Sequence, residues 1–387
     1  MIHHDFNSWQ TPGRNSCTIG LRLGSAATDK LKLNYGYGST EKNGNVLSQT
    51  ITVPTVAQNP GFTAVQNYQY DSLNRLKSAE EIISSQTSWK QTFTFDRYGN
   101  RRFDVPNTTT LAPGCAEAVC NPTIDPATNK LIGYQFDDAG NTKTDANGQT
   151  FVYDSENKQV QVNNASGTVG QYFYNGDGQR VKKVVPSTGE TTIFVYDAAS
   201  KLVAEYSTIV AASQDAKVAY LTNDHLGSPR INTDALGQVV SRRDFRPFGE
   251  EVARANYGSD SVRQKFTGYE RDIEFDLDYA NARYYNPMHG RFTSPDPLIA
   301  SGRAGNPQTW NRYNYAGNNP LVNVDPTGMD WIRSNERDKD GQYIYHDVYG
   351  KELKKYLKSG DYSRVDFGGA DSSTIYRNDV PIYEMFA

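Results

Sequence analysis

The chain has few cysteines, no long apolar run and no marked excess of charge of either sign. Its 387 residues contain 3 cysteines, are 37% hydrophobic and carry a formal net charge of -4. No apolar stretch reaches the roughly 20 residues that a membrane-spanning helix needs. The start of the chain also lacks the charged and then apolar pattern of a signal peptide. We therefore expect no membrane span, and the mild acidity argues against a nucleic-acid-binding surface.

The cysteines do not form a recognisable metal or catalytic motif. Cys115 and Cys120 flank the short segment CAEAVC and can form a local disulfide in an oxidising compartment, or remain two loop thiols. A zinc site needs more ligands nearby, and a cysteine nucleophile needs a partner base. We expect no metal, no cofactor and no cysteine protease activity.

Tyrosine and glycine are plentiful, with 26 and 32 residues, and many of them belong to an irregular repeat. The repeat reads aromatic-x-aromatic-Asp, then small or polar residues, then a basic and an apolar residue. Its copies are YQYDSLNRLKS, FTFDRYGNRR, YQFDDAGNTKT, FVYDSENKQV, YFYNGDGQRVKK and FVYDAASKLV, with a degenerate copy, LNYGYGSTEKNGNV, near Leu33.

Each repeat unit predicts one β-hairpin. Aromatic residues two positions apart lie on one face of a strand, because side chains alternate. The Asp can bind backbone amides two residues further on and begin a turn, and the Gly or Asn that follows tolerates a positive φ. Successive hairpins then add edge to edge, so the pattern predicts an all-β, antiparallel repeat sheet.

The composition changes twice along the chain. We predict a repeat sheet over residues 1–219, a less repetitive core over 220–329 and a variable C-terminal segment over 330–387. In the last segment KELKKYLKSG predicts a short helix, and QYIYHDV and TIYRNDVPIYEMF predict strands, a small α+β unit. Its polar candidates match no enzyme motif, so no site is assigned to His346, Asp347, Asp361, Arg364 and Asp366.

The ordered motifs DHLGSPR, PFGE, GYE, LDYANARYYNPMHGRF and RYNYAGNNPLVNVDPTG resemble the Rhs/YD-repeat proteins and their Rhs-associated core domain. The resemblance covers residues 33–329 and extends to the C component of Tc toxins and to the YD shell of teneurins. It implies a spiralling β-shell plugged by its core, and a toxin or effector after the DPTG motif. It also implies a secreted or delivered protein with a secretion-system or toxin-complex carrier and an immunity partner. The repeat region is short for a closed cage, which fits a partial shell or a truncated cassette.

The resemblance further implies self-cleavage of the aspartic type. Arg283 in NARYYNP, Asp296 in SPDP and Asp325 in VDPTG match the family's arginine and two aspartates, and the scissile bond is Met329-Asp330. Met329 stands where the family usually has Leu. Two close carboxylates share a proton, so one can activate water while the other polarises the carbonyl. The arginine can bind one carboxylate or steady the oxyanion.

Other interpretations remain open at this point. Each Asp-Pro step can simply form a turn, Arg283 can be a structural ion pair, and His225 and His289 fit structural roles better than that of a base. The whole chain can also be a non-enzymatic surface or adhesion module, or a carbohydrate-binding sheet with tyrosines as stacking platforms. Either of those would place it at the cell surface.

Overall fold

The computed structural model describes residues 2–5, 16–23, 29–38, 43–55, 60–198, 202–209, 219–297, 307–329, 372–377 and 380–385. Nearly half of these residues form antiparallel strands, and the one α-helix among them, α1, spans Glu117–Cys120. Short 3-10 turns occupy Val105–Asn107, Phe266–Gly268, Pro307–Trp310 and Ala316–Asn318. The predicted all-β, antiparallel fold is confirmed.

The repeats form two eight-stranded sheets in which every strand pairs with its neighbours in sequence. The first sheet consists of β1 (Ile2–Asp5), β2 (Ser16–Leu23), β3 (Asp29–Gly36), β4 (Ser48–Val53), β5 (Phe62–Tyr70), β6 (Leu76–Ile83), β7 (Gln86–Phe95) and β8 (Arg101–Phe103). The second sheet consists of β9 (Gln135–Phe136), β10 (Thr142–Thr144), β11 (Thr150–Tyr153), β12 (Gln159–Asn164), β13 (Gly167–Tyr174), β14 (Arg180–Val185), β15 (Glu190–Tyr196) and β16 (Leu202–Ser207).

The repeat copies from YQYDSLNRLKS to YFYNGDGQRVKK each span two adjacent strands and the turn between them, as predicted, and FVYDAASKLV spans β15 and the start of β16. In the first such hairpin, Asp71 Oδ1 accepts the amides of Leu73 at 2.9 Å and Arg75 at 3.0 Å. Asn74 has a φ of 59°, in the left-handed region that Asn tolerates. Of the two aromatic residues before the turn, Tyr68 is buried and Tyr70 is half-buried on the same face. The short Asp side chain thus determines the turn through contacts within five residues, which is why the sequence predicts it.

The core region, residues 220–329, contains smaller sheets. Its strands are β17 (Tyr220–Asn223), β18 (Pro229–Thr233) and β19 (Val239–Arg242), the pair β20 (Asp244–Phe245) and β21 (Glu251–Val252), and the sheet β22 (Glu270–Asp272), β23 (Leu277–Ala280), β24 (Arg283–Asn286) and β25 (Arg291–Phe292). Near the C-terminus, β26 (Ser372–Arg377) pairs with β27 (Val380–Met385), at the predicted strand segment TIYRNDVPIYEMF. The predicted helix KELKKYLKSG and strand QYIYHDV lie outside the described residues.

A buried ion network joins the first sheet to the core. Arg254 reaches Glu81 of β6 at 2.6 Å and Asp244 at 2.5 Å, and Arg230 binds the other oxygen of Asp244 at 2.6 Å. Burial acts to raise the pKa of Asp244, but the two arginines hold it below its usual value. Removing one partner of such a buried pair costs about 3–5 kcal/mol, so this network fixes the sheet against the core.

A second buried ion network joins the second sheet to the core, with the positive and negative partners exchanged between sheet and core. Arg180 and Lys183 of β14 are buried, and each binds an oxygen of Asp272 in β22 at 2.6 Å. Burial acts to raise the pKa of Asp272, but the two cations lower it below its usual value. Here the sheet supplies the cations and the core supplies the carboxylate. The core hairpin that carries β24 is therefore held rigidly from one side.

The loop over residues 104–134 connects the two sheets and packs on the core. Cys115 and Cys120 form a disulfide in it, with a Cα-Cα distance of 6.2 Å, which resolves the alternative that the sequence left open. The ring of His289 is buried, and its Nε2 lies 2.7 Å from the carbonyl oxygen of Val119. Burial lowers the pKa of His289 to about 4, so the neutral ring donates this hydrogen bond at pH 7.

Candidate functional site

The residues assigned to self-cleavage lie over an aromatic part of the core. A buried cluster beneath them consists of Leu226, Phe245, Phe266, Tyr269, Ala280, Tyr285, Phe292, Tyr315 and Ala316. The rings of Tyr285 and Tyr315 have centroids 4.4 Å apart. Aromatic packing of this kind keeps water out and lowers the local dielectric constant. Charged groups placed on it therefore interact strongly.

Arg283, the first residue of β24, is at the centre of the site. Its side chain is 4% exposed and its guanidinium lies 3.6 Å above the centroid of the Phe292 ring. Nη2 donates to Asp325 Oδ2 at 3.0 Å, Nη1 donates to the Arg312 carbonyl at 3.1 Å, and Nε donates to the Gly328 carbonyl. The guanidinium thus contacts both the candidate acid and the chain that leads to the predicted cut.

Asp325 forms the same kind of turn as the repeat aspartates. Its Oδ1 accepts the amides of Thr327 at 3.3 Å and Met329 at 3.1 Å, two and four residues further on. Gly328, three residues on, has a φ of 69°, and a Cβ there would collide with the Ala280 carbonyl. The sequence DPTGM therefore folds as a YD-type turn. Asp325 forms this turn and also pairs with Arg283, so the two roles are compatible.

The environment of Asp325 is unlike that of an exposed turn. The side chain is 3% exposed, and burial raises the pKa of its carboxyl group above the usual value. The charge of Arg283 and the backbone amides of residues 327–329 act in the opposite direction and limit the rise. A carboxyl group with a raised pKa keeps its proton to higher pH, which suits an acid that protonates a carbonyl oxygen.

Asp296 is connected to Arg283 through Arg312. The amide of Asp296 donates to the Arg312 carbonyl at 2.7 Å, which is the same oxygen that accepts from Arg283. The Arg312 side chain donates in return to the Asp296 carbonyl. Asp296 is 8% exposed. All three motif residues, Arg283, Asp296 and Asp325, are thus buried within one hydrogen-bonded network.

The peptide just before the predicted cut is held on both sides. Its carbonyl, that of Gly328, accepts from Arg283, and its amide, that of Met329, donates to Asp325. Fixing this peptide restricts where the next bond can lie. Asp330, on the far side of the predicted scissile bond, lies outside the described residues.

The two histidines of the core bind main-chain carbonyls. His225 Nε2 lies 2.9 Å from the Leu321 carbonyl and its ring packs against Tyr35, while His289 contacts Val119. These contacts favour the structural roles expected of both. Over the described residues no group of three His, Cys, Asp or Glu side chains is placed to bind a metal ion. The same residues include no helix long and apolar enough to cross a membrane.

Three residues of the site were not singled out from the sequence. Arg312 carries the contact between Arg283 and Asp296, Tyr269 donates its hydroxyl to the Asp325 carbonyl, and Asn281 Nδ2 binds the Pro326 carbonyl at 3.0 Å. Tyr269 and Arg312 belong to the core motifs GYE and RYNYAG. Their position within these motifs could have indicated from the sequence that they belong to the site. Only the fold shows which atoms they bind.

A family model described as Teneurin YD-shell matches residues 127–321, just over half of the 387 residues. The matched range runs from the loop before β9 to the segment before the DPTG turn. It includes the whole second sheet and most of the core region.

Two curated relatives, WapA and YenC1, match more of this chain than the family model does. The chain is 28% identical over 317 residues to the tRNA3(Ser)-specific nuclease WapA of Bacillus spizizenii, a match with 78% of this chain and 12% of that protein. It is 24% identical over 330 residues to toxin subunit YenC1 of Yersinia entomophaga, with 74% of this chain and 31% of that protein. Toxin protein Tse5 of Pseudomonas aeruginosa is 37% identical over 123 residues, which cover 31% of this chain and 8% of Tse5. The chain thus spans less than a third of the length of each of these relatives.

Solved structures support the fold. The crystal structure of the TcdB2-TccC3 complex matches with a TM-score of 0.62 and 22% identity, over 81% of this chain and 18% of that chain. The Tc holotoxin pore of Photorhabdus luminescens matches with a TM-score of 0.61 and 21% identity, over 85% of this chain and 18% of that chain. At these identities the likeness concerns the path of the backbone.

Proposed function

The chain belongs to the Teneurin YD-shell family, and we propose that it acts as a toxin shell of the Rhs type whose core cuts the chain after Met329. In this proposal residues 1–219 form part of the shell, 220–329 the core that cuts, and 330–387 the released effector. The nuclease WapA and the toxins YenC1 and Tse5 among its relatives support the shell assignment. The observation that carries the cleavage is the buried pair of Arg283 and Asp325 on the turn that ends at Met329.

The proposed reaction needs only the chain's own groups and one water. The Asp296 carboxylate takes a proton from water as the water oxygen attacks the Met329 carbonyl carbon, and protonated Asp325 gives its proton to the carbonyl oxygen. The C-N bond then breaks as Asp296 returns its proton to the amide nitrogen of Asp330. Asp325 recovers its proton from the hydroxyl of the intermediate, which leaves a carboxyl group at Met329.

Arg283 has two tasks in this scheme. It limits the rise in the pKa of Asp325, because its positive charge favours the ionised carboxylate. It also holds the Gly328 carbonyl, and so positions the peptide that precedes the cut. A buried arginine suits both tasks, because its planar guanidinium donates several hydrogen bonds in fixed directions.

The cleavage is tested by denaturing gel and intact mass on freshly purified protein. Wild-type chain is expected to yield a fragment of about 6 kDa, the share that residues 330–387 have in the 43.2 kDa chain. Asp296→Asn is expected to leave the chain whole, since an amide cannot take a proton from water. Wild-type protein that is folded and remains uncut contradicts the proposal. Expression of residues 330–387 alone, scored by bacterial growth with and without a candidate immunity protein, tests their toxicity.

A second candidate function is a surface or carbohydrate-binding module. The solvent side of the second sheet exposes Phe173 by 45%, Ile193 by 40% and Tyr206 by 64%, in a row across β13, β15 and β16. Exposed aromatic rings are platforms on which a sugar can stack. Binding of the uncut chain to a glycan array, lost in Phe173→Ser with Tyr206→Ser, would favour this function. No binding to any glycan would exclude it.

Delivery follows from the proposed shell and is part of the same proposal. A secretion system or a toxin-complex carrier would bring the protein to its target, and an immunity protein would protect the producing cell. The likeness to the TcdB2-TccC3 complex supports a carrier of the toxin-complex kind. Co-purification of this chain with a candidate carrier, compared with the carrier alone, tests it.

A further inference from the structure

Four consecutive carbonyls of the DPTG turn each accept a hydrogen bond from one part of the core. The carbonyls belong to residues 325–328. Their donors, in the same order, are Tyr269 Oη, Asn281 Nδ2, the amide of Ala282 and Arg283 Nε. The second and third of these bonds are each 3.0 Å long. We call this set of four donors the carbonyl cradle.

The cradle is built along three consecutive strands of the core, β22 to β24. Tyr269 immediately precedes β22, residues 281 and 282 form the turn between β23 and β24, and Arg283 begins β24. Asn281 has a φ of 59°, so the turn needs a residue that tolerates the left-handed region. The Tyr269 ring is 4% exposed and packs edge-on against Tyr285 and Tyr315. Tyr269 and Arg283 are thus buried side chains of the core, and Asn281 reaches the DPTG segment from an exposed turn.

The repeat turns bind the equivalent carbonyl in another way. In the first hairpin the Asp71 carbonyl accepts the amide of Asn74 at 3.0 Å, and in the next the Asp96 carbonyl accepts the amide of Gly99 at 3.1 Å. In each of these turns the donor to the Asp carbonyl belongs to the turn itself. The Asp325 carbonyl accepts from the Tyr269 hydroxyl, 56 residues away. The DPTG turn is thus bound by donors of the core that lie outside the turn itself.

We propose that Tyr269 and Asn281 are positioning residues that set the register of this segment and so determine which peptide bond is cut. The inference rests on the proposed self-cleavage. A slip of one residue would move the carbonyl presented to the carboxylates by about 3.8 Å. Catalytic geometry tolerates only about 0.5 Å, so a register held by four carbonyl contacts selects one bond. Neither residue exchanges a proton in the reaction, because burial holds the pKa of Tyr269 well above its usual value and Asn281 has no titratable group.

The test measures both the rate and the position of the cut. Wild type, Tyr269→Phe, Asn281→Gly and the double variant are made by cell-free translation, and samples quenched at successive times are analysed by intact mass. Phe removes only the hydroxyl, and Gly keeps the positive φ while it removes the amide group. Each single variant is expected to be cut about tenfold more slowly. The double variant is expected to be slower still and to give a mixture of termini near residue 329, with no shift of the pH profile.

Matched controls separate positioning from stability. Tyr285 is buried and donates its hydroxyl to the Phe248 carbonyl at 2.7 Å, away from the DPTG segment, so Tyr285→Phe removes an equivalent bond. Asn74→Gly makes the same change as Asn281→Gly in a repeat turn. Both controls are expected to be cut at the wild-type rate and position. Cutting of the double variant at the wild-type rate, and only after Met329, overturns the inference while wild-type cleavage stands. An uncut wild type overturns the proposed function, and this inference with it.

Discussion

The turn at Asp71 and the turn at Asp325 are built alike and lie in different surroundings. In both, Oδ1 accepts the amides two and four residues further on, and Oδ2 pairs with an arginine. For Asp71 the partner is Arg75, in the same turn, and the two side chains are 21% and 12% exposed. For Asp325 the partner is Arg283, 42 residues away, and the exposures are 3% and 4%.

The difference teaches that burial, rather than the turn itself, makes Asp325 a candidate for catalysis. In the partly exposed repeat turn, water screens the Asp71 carboxylate more than the buried Asp325, which weakens the pair with Arg75. In the dry core the carboxyl group of Asp325 has a raised pKa, and its arginine also contacts the peptide that precedes the proposed cut. A turn that elsewhere joins two repeat strands is here buried in the core and pairs with Arg283.

The largest effect is expected from changing Asp325, with the same change at Asp71 as the control. Asp325→Asn removes the proton donor and is expected to slow cleavage by at least about a hundredfold. Asp71→Asn makes the same change in the repeat turn, where Asn still accepts the amides, and is expected to leave the rate unchanged. Rates from time-resolved intact mass measure both. Equal slowing in the two variants would mean that cleavage depends on the turn as such, and the comparison would break.

The next largest effect is expected from changing Arg283, with the same change at Arg75 as the control. Arg283→Gln removes the contact with Asp325 and weakens that with Gly328, so cleavage is expected to slow by about a hundredfold. Arg75→Gln is the matched control and is expected to have no effect on the rate. The pH profile adds a second readout. Loss of the positive charge raises the pKa of Asp325 further, so the alkaline limb moves to higher pH in Arg283→Gln.

A smaller effect on the cleavage rate is expected from Gly328→Ala, and Gly148, which also has a positive φ, provides the control. Gly148→Ala has no atom within 4 Å of the new Cβ, so it is expected to cost only the backbone strain of about 1–2 kcal/mol in thermal unfolding. Gly328→Ala adds a collision with the Ala280 carbonyl, which displaces the turn from the cradle. We expect about tenfold slower cleavage in Gly328→Ala and the wild-type rate in Gly148→Ala. A wild-type rate in both variants would show that the cradle does not constrain the cut.

The smallest change in the cleavage rate is expected from varying the pH of the wild-type protein, a test that needs no substitution. The acid role requires protonated Asp325, so the rate is expected to fall as pH rises through the raised pKa of that group. On the acid side the rate is expected to fall as Asp296 becomes protonated. The two limbs belong to the pair of carboxyl groups as a unit. A rate that is constant over pH 3–9 would exclude an acid pair as the catalyst.

The repeat hairpins could be predicted from the sequence because they depend on local contacts. The partners of Asp71 lie within four residues, and strands such as β5 alternate buried and exposed side chains. The site could be located only through the motifs that resemble the family, because Arg283 and Asp325 meet across 42 residues and no spacing rule brings them together. The contacts of Tyr269 and Arg312 required the fold, since each binds a backbone carbonyl that any residue could supply.

The most direct test of the account is the identity of the new N-terminus in freshly folded wild-type protein. Terminal sequencing or fragment mass is expected to give a small fragment that begins at Asp330, and a large one that ends at Met329 inside the cradle. A fragment that begins elsewhere, or cleavage that persists in Asp325→Asn, would contradict the claim that the buried DPTG turn presents this one bond to the core.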